Sequence, residues 1–371
     1  MTWMFHPFEI AVCGHSGSGK TTLIARLIDA LAPTHRVGYA KHSGHDFQID
    51  EPGKDTDLAR AAGAVRTFIT NDCATAMTTN AAPDFVQRRI MFHDCDFVIA
   101  EGWKSSPLPR IVMLDAAGEI LRETPGEKAG PVLAWVGTGT GASRLQRPND
   151  VPFFERDDIA GIAAFIRQYF DTQVRATPLY GVVLAGGRST RMQKDKASLT
   201  YRGRSQLEGM FELVGRFCAR AFVVARANQW EDDRFAALPQ IHDTIQNCGP
   251  TGGILSAMQV HPEAAWLVVA CDLPHLDAAT LEDLLRQRAP LKVATAYTSA
   301  HDGFPEPLCA IYEPRARSRL FQFLAIGYNC PRKMLINSNV RLLTLANRMA
   351  LENVNHPDEY EAAVRALAGQ A

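Results

Sequence analysis

The chain has 371 residues, 46% of them hydrophobic, with 39 Lys plus Arg against 40 Asp plus Glu. That length exceeds one ordinary core and calls for two domains, and the even charge leaves no general basic field for nucleic acid, so phosphate chemistry must rest on local patches. No apolar run approaches the ~20 residues of a membrane span, and Met1–Ile10 lacks a charged n-region and an apolar h-region, so a cytosolic (cytoplasmic) protein with no membrane partner is expected.

The eight cysteines are scattered, without C-x-x-C or a histidine at finger spacing, which argues against a disulfide framework and a structural zinc. Glu9–Cys13 is a short apolar strand leading into Gly14-His15-Ser16-Gly17-Ser18-Gly19-Lys20-Thr21, a full G-x-x-x-x-G-K-[ST]. Leu23, Ile24, Leu27, Ile28 and Leu31 follow at helical spacing, so the loop opens a helix with an inward apolar face. Successive N–H groups and the helix N-terminus would cradle the α- and β-phosphates, Lys20 would neutralise β/γ charge, and the Thr21 hydroxyl would reach Mg2+. Gly14, Gly17, Gly19, Lys20, Thr21 and Thr22 are the candidate nucleotide contacts.

A P-loop enzyme also needs a carboxylate at the end of a neighbouring strand. Phe97–Ala100 suits a central strand, with Glu101 on the ligand side as the metal-side acid and Asp96 as a strand-start residue. Between the two motifs, Lys41–Asp57 is dense in polar groups. A solvated loop is the plain reading, but its place after the strand Val37–Ala40 puts it near the phosphates. Further strand-like runs lie at Arg110–Leu114 and Pro131–Val136, and a helix runs from Ile159 to near Phe170 after Asp157-Asp158. Alternating strands and helices predict a parallel sheet covered on both faces. The polar Asp171–Pro178 ends in proline and marks the linker, giving residues 1–172 as the first domain, 173–178 as the linker and 179–371 as the second domain.

The second domain opens on the strand Tyr180–Leu184 and the loop Leu184-Ala185-Gly186-Gly187-Arg188-Ser189-Thr190-Arg191-Met192-Gln193-Lys194-Asp195-Lys196-Ala197. Paired glycines let the backbone approach a polyphosphate, and Arg188, Arg191, Lys194 and Lys196 supply charge against it; the bland alternative is a Gly-rich turn with a solvated basic face. Leu207–Phe217 reads as a helix and Phe222–Ala225 as the next strand. Asp243 and the glycines 249, 252 and 253 then precede a helix through Met258, whose N-terminus suits a base edge or a phosphate. Trp266–Ala270 is a continuous apolar strand ending in Cys271-Asp272, which places Asp272 to hold Mg2+; a cap for the following turn is the alternative. Asn355, just before the final helix, either completes the metal or substrate site or caps that helix.

The Leu184–Ala197 loop resembles the signature L-A-G-G-x-S-x-R-M-G-x-D-K-A of the MobA family, nucleotidyltransferases that make molybdopterin guanine dinucleotide; Gln193 departs from it, standing where the family has glycine. The likeness extends through D-x-x-x-x-x-G-P-x-x-G at Asp243 to Gly253, C-D-x-P at Cys271, F-P-E-P-L-C-A-I-Y and N-V-N-x-P-x-E, and fits Tyr328–Val340 less well. In the first half, G-H-S-G-S-G-K-T, K-H-S-G-H-D-F, E-P-G-K-D-T-D and V-I-A-E-G-W-K resemble MobB, the P-loop adaptor of the same cofactor pathway. The resemblance implies an α/β chain of two doubly wound three-layer domains, a P-loop NTPase followed by a Rossmann-like nucleotidyltransferase. It implies Lys196 on the phosphates, Asp243 near the nucleotide and Asp272 on magnesium. With the reading of the residues, Leu184, Ala185, Gly186, Gly187, Lys196 and Asp243 are the expected nucleotide contacts, Arg191, Lys196 and Asp272 the catalytic residues, and Asp272, Asn355, Thr21 and Glu101 the groups around Mg2+. The implied reaction moves GMP from GTP to molybdopterin (Mo-molybdopterin), with GTP also bound by a weakly hydrolysing first domain. Molybdoenzymes or their chaperones are the implied partners, and a homodimer is left open. Rival readings are a cytidylyltransferase, a sugar-1-phosphate nucleotidyltransferase, or a P-loop GTPase switch with a C-terminal binding module. A first domain that only delivers the pterin or docks acceptor enzymes is a further alternative.

Overall fold

The computed structural model describes residues 4–115, 117–122, 128–138, 150–186, 196–201, 203–227, 229–230 and 234–368. The chain divides into two compact units, Met1–Tyr169 and Phe170–Ala371.

The first unit contains β1 (Glu9–Cys13), β2 (Val37–Lys41), β3 (Arg66–Thr70), β4 (Thr75–Thr79), β5 (Phe97–Glu101), β6 (Arg110–Met113), β7 (Val132–Gly137) and β8 (Phe153–Glu155). Its helices are α1 (Lys20–Leu31), α2 (Asp55–Ala61) and α3 (Phe85–Met91), and α4 (Ile159–Arg175) begins in it. Six strands form a parallel sheet in the order β2-β5-β1-β6-β7-β8. β1 and β5 are buried at every position, which is why they read as unbroken apolar runs. The chain passes from β1 to one flank of the sheet and, after β5, to the other. The carboxyl ends of β1 and β5 therefore border the point of reversal, where open α/β sheets bind ligands.

Besides α3 and β8, which the sequence reading did not name, three features depart from the sequence-based expectation. α4 runs to Arg175 instead of ending near Phe170, and so enters the expected linker, because Ile162, Ile166, Phe170 and Val174 continue a buried stripe at four-residue spacing. α2 begins inside the polar loop, at Asp55. β3 and β4 form an antiparallel hairpin that the sequence did not announce. Its Phe68 and Met77 are exposed, so no buried face imposes an apolar alternation, and pairs such as Thr67–Thr78 at 2.6 Å join the strands.

The second unit contains β9 (Leu179–Leu184), β10 (Thr200–Tyr201), β11 (Arg204–Ser205), β12 (Arg220–Ala225), β13 (Gln240–His242), β14 (Ala265–Ala270), β15 (Ala294–Thr298), β16 (Pro305–Tyr312) and β17 (Val340–Thr344). Its helices are α5 (Gln206–Gly215), α6 (Pro250–Val260), α7 (Ala278–Arg286), α8 (Ala316–Ala325), α9 (Pro331–Ile336) and α10 (Pro357–Ala368). The main sheet has the order β13-β12-β9-β14-β16-β15-β17. It is mixed, since β16 runs antiparallel to β14 and β15, whereas the other pairs are parallel. Side chains of β14 alternate between two cores. Leu267 and Val269 pack with Leu207, Met210 and Val214 of α5, and Trp266 and Val268 with Ile254, Leu255 and Met258 of α6. The chain leaves β9 for β12 on one side and reaches β14 on the other, so the reversal lies between β9 and β14.

Candidate functional site

In the second unit the ends of β9 and β14 are level, with Leu184 paired to Ala270, and Cys271 N–H donates to the Leu184 carbonyl at 3.1 Å. The two following loops therefore leave the sheet side by side. They open a cleft of about 780 Å³ lined by Leu184, Ala185, Gly186, Lys196, Asp243, Asp272 and Asn355, among others. Lys196 starts a 3-10 turn, and its ammonium donates to Asp272 Oδ2 at 2.9 Å and to Asn355 Oδ1 at 2.7 Å.

Asn355 is brought there by the backbone, because Val354 N–H donates to the Asp272 carbonyl at 3.0 Å. The helix-capping alternative falls to other residues. Glu359 Oε2 accepts from the N–H groups of Asn355 (2.6 Å) and His356 (3.1 Å) ahead of α10, and Asp277, not Asp272, caps α7 by accepting from Thr280 N–H at 2.8 Å. Asp243 shapes the opposite wall. Its Oδ1 accepts from Ile245 N–H at 3.0 Å and from the Ser256 hydroxyl at 3.1 Å, while its own N–H donates to the Ala225 carbonyl at 3.0 Å. Gly252 lies against this turn so closely that a Cβ there would come within 2.4 Å of the Ile245 carbonyl oxygen.

Gly187, Arg188, Arg191, Gln193 and Lys194 lie outside the described residues. Sequence reasoning missed Arg226, which follows β12 and lines the cleft with its Cγ 3.8 Å from a Cβ built on Gly186. A cation just past a strand end was the available signal.

In the first unit the P-loop joins β1 to α1, with Gly19 at φ 87° as the residue before the helix, a left-handed conformation that disfavours a Cβ. The Lys20 ammonium donates to the carbonyls of Gly14 (3.1 Å) and His15 (2.7 Å). The Thr21 hydroxyl, Tyr39 hydroxyl and Lys41 ammonium converge on Glu101, which is the last residue of β5 rather than the one after it. Their distances to its carboxylate are 2.9, 2.6 and 2.9 Å. Burial pushes the Glu101 carboxyl up, but the three hydrogen bonds outweigh it and hold the group below the usual carboxylate range. Burial, joined by the negative Glu101, pushes the Tyr39 hydroxyl up. Thr22 is exposed on the first turn of α1, and Asp96 is fully buried at the start of β5, where its Oδ2 accepts from Arg36 N–H at 2.8 Å. Thr21 and Glu101 thus stand together, as do Lys196, Asp272 and Asn355, each set at the reversal point of its own sheet. Among the described residues no helix is long and apolar enough to cross a membrane.

The family described as MobA-like NTP transferase domain matches residues 181–340, and that described as molybdopterin guanine dinucleotide synthesis protein B matches residues 9–134. A molybdenum cofactor biosynthesis bifunctional protein of Synechocystis is 38% identical over 187 residues, 50% of this chain and 54% of the relative, so the chain spans about half the length of that relative. The molybdopterin-guanine dinucleotide biosynthesis adapter protein of Escherichia coli is 31% identical over 44% of this chain and 94% of its own length. A probable molybdenum cofactor guanylyltransferase of Mycobacterium ulcerans is 31% identical over 51% of this chain and 95% of its own. With a P-loop unit matched to one of these families and a transferase unit to the other, the chain belongs to the MobB family through its first half and to the MobA-like NTP transferases through its second.

Proposed function

We propose that the second unit is a molybdenum cofactor guanylyltransferase, which transfers GMP from GTP to molybdopterin, and that the first unit is its GTP-binding adaptor. Residues 1–172 serve as the adaptor, 173–178 (the end of α4 and the turn to β9) as the connection, and 179–371 as the transferase. The observation that carries this reading is the Lys196 ammonium held between Asp272 Oδ2 and Asn355 Oδ1 at the reversal point of the second sheet. A carboxylate and an amide oxygen already converge on one positive charge there, which is the donor set a hard divalent cation takes alongside substrate phosphates. Asp272 and Asn355 would hold Mg2+ once Lys196 turns to the polyphosphate, and in the first unit Thr21 and Glu101 would do so. When bound, the metal neutralises phosphate charge.

In the reaction, an oxygen of the pterin's terminal phosphate bonds to the α-phosphorus of GTP. The α–β phosphoanhydride breaks, and pyrophosphate leaves with its electron pair. The acceptor is ionised at neutral pH and needs no base, so the residues position the reactants and stabilise charge. Lys196 and Arg191 serve the α-phosphate and the leaving pyrophosphate, Asp243 and the backbone of Leu184–Gly187 the nucleotide. The partners in this reading are the pterin, GTP and the molybdoenzymes or chaperones that receive the product, and the work is cytosolic.

The test is to incubate the full chain with GTP, Mg2+ and molybdopterin and to look for pyrophosphate and a guanylated pterin. Preference for CTP in competition would overturn the guanine assignment. Synthesis that survives Asp272→Ala but not Lys20→Ala would move the chemistry to the first unit.

A further inference from the structure

A cation outside the loop motif, Arg156, stands beside the P-loop. Arg156 follows β8, which ends the first sheet on the side of β1 away from β5. Its N–H donates to the Gly137 carbonyl at 2.7 Å, which anchors the residue at the end of β7. From there its guanidinium reaches the P-loop. A Cβ built on Gly19 would lie 3.5 Å from Nη1 and 3.7 Å from Cζ.

The two acids that follow it are engaged elsewhere. Asp157 pairs with Arg26 of α1 at 2.5 Å, and Asp158 Oδ1 accepts from Gly161 N–H in α4 at 2.9 Å. Arg156 Nε is buried with no hydrogen-bond partner among the described residues, and so is the hydroxyl of Ser18 in the P-loop. Two buried donors left unmade against one loop cost free energy until an acceptor arrives, and the acceptor this loop takes is a phosphate.

The direction of approach separates Arg156 from the residues of the metal side. Thr21 and Glu101 mark the metal side, on the flank of β5, whereas Arg156 comes from the opposite flank, across β6 and β7. We propose that Arg156 is a second nucleotide-binding cation of the first unit, donating to the phosphate nearest the nucleoside while Lys20 serves the terminal phosphates. The inference rests on the reading that this P-loop binds GTP, and it adds a residue that the loop motif does not contain.

The test is titration of the full chain with fluorescent GTP and GDP analogues, the first unit's share being the signal that Lys20→Ala removes. Arg156→Met, similar in reach but uncharged, is expected to weaken GTP and GDP by the same factor, about tenfold or more, since a charge-assisted bond is lost from a phosphate that both carry. Arg156→Lys restores part of the affinity. Unchanged affinity in Arg156→Met overturns the proposal, as does a loss confined to GTP, which would place the group on the terminal phosphate. Should Arg156→Met melt early, Arg156→Gln decides by the same two criteria. If the unaltered chain and Lys20→Ala bind alike, the P-loop reading itself fails, a result distinct from the failure of Arg156 alone.

Discussion

At Lys196 a single ammonium satisfies two oxygens, Asp272 Oδ2 and Asn355 Oδ1. If Lys196 serves the polyphosphate as proposed, Lys196→Ala should lower dinucleotide synthesis by about 10²–10³-fold, the range for loss of one preorganised donor. Asp272→Asn should fall at least as far, and Asn355→Ala less, which initial-rate measurements of pyrophosphate release will rank. Glu101 supplies a pH test. Its folded carboxyl lies below its ordinary value of 4.5, so its stabilising contribution is fully present above that value and is lost as pH falls through the lower, folded one. Glu101→Gln should flatten the acid limb of the melting-temperature profile below about pH 4.5, and an unchanged profile would refute this. Lys196, Asp272 and Glu101 were legible in the sequence because each stands at the edge of a motif or just beside a strand end. Arg226 carried the same signal, a cation just past a strand end, and was passed over, whereas Arg156 follows the short strand β8, which was not expected, and nears the P-loop only through strand order.

Helix α6 starts against the Asp243 turn, and the contact at Gly252 is the tightest point of that element. Gly252→Ala forces its methyl against the Ile245 carbonyl, so denaturant titration should show a loss of about 1–3 kcal/mol, with weaker GTP binding in the second unit as the turn shifts. Elements that pack on both faces were read directly: β1, β5 and β14 appear as apolar runs because helices or loops cover each side. The reversed direction of β16 left no mark in its residues, since antiparallel and parallel neighbours bury the same side chains. The hairpin β3–β4, with exposed side chains on its strands, gave composition nothing to register.

Among the described residues, each of the two units carries a candidate triphosphate site. If the sites act independently, Lys20→Ala should abolish the first unit's binding and leave guanylation of the pterin measurable, while Asp272→Ala does the reverse. Saturating GTP should raise the melting temperature of each unit that retains its site, worth roughly 2.7 kcal/mol at a hundredfold excess over Kd. On the proposed function, the ammonium lodged between Asp272 and Asn355 would also set a loading order. If Asp272 and Asn355 hold magnesium as proposed, the metal offered alone would have to evict a tethered charge, whereas with a nucleotide present that charge would be drawn off to the phosphates. Calorimetry should therefore register little uptake of the metal by the second unit until GTP is present, and chelators should leave the resting fold undisturbed. A resting site arranged in this way would be shielded from capturing the wrong divalent ion between turnovers.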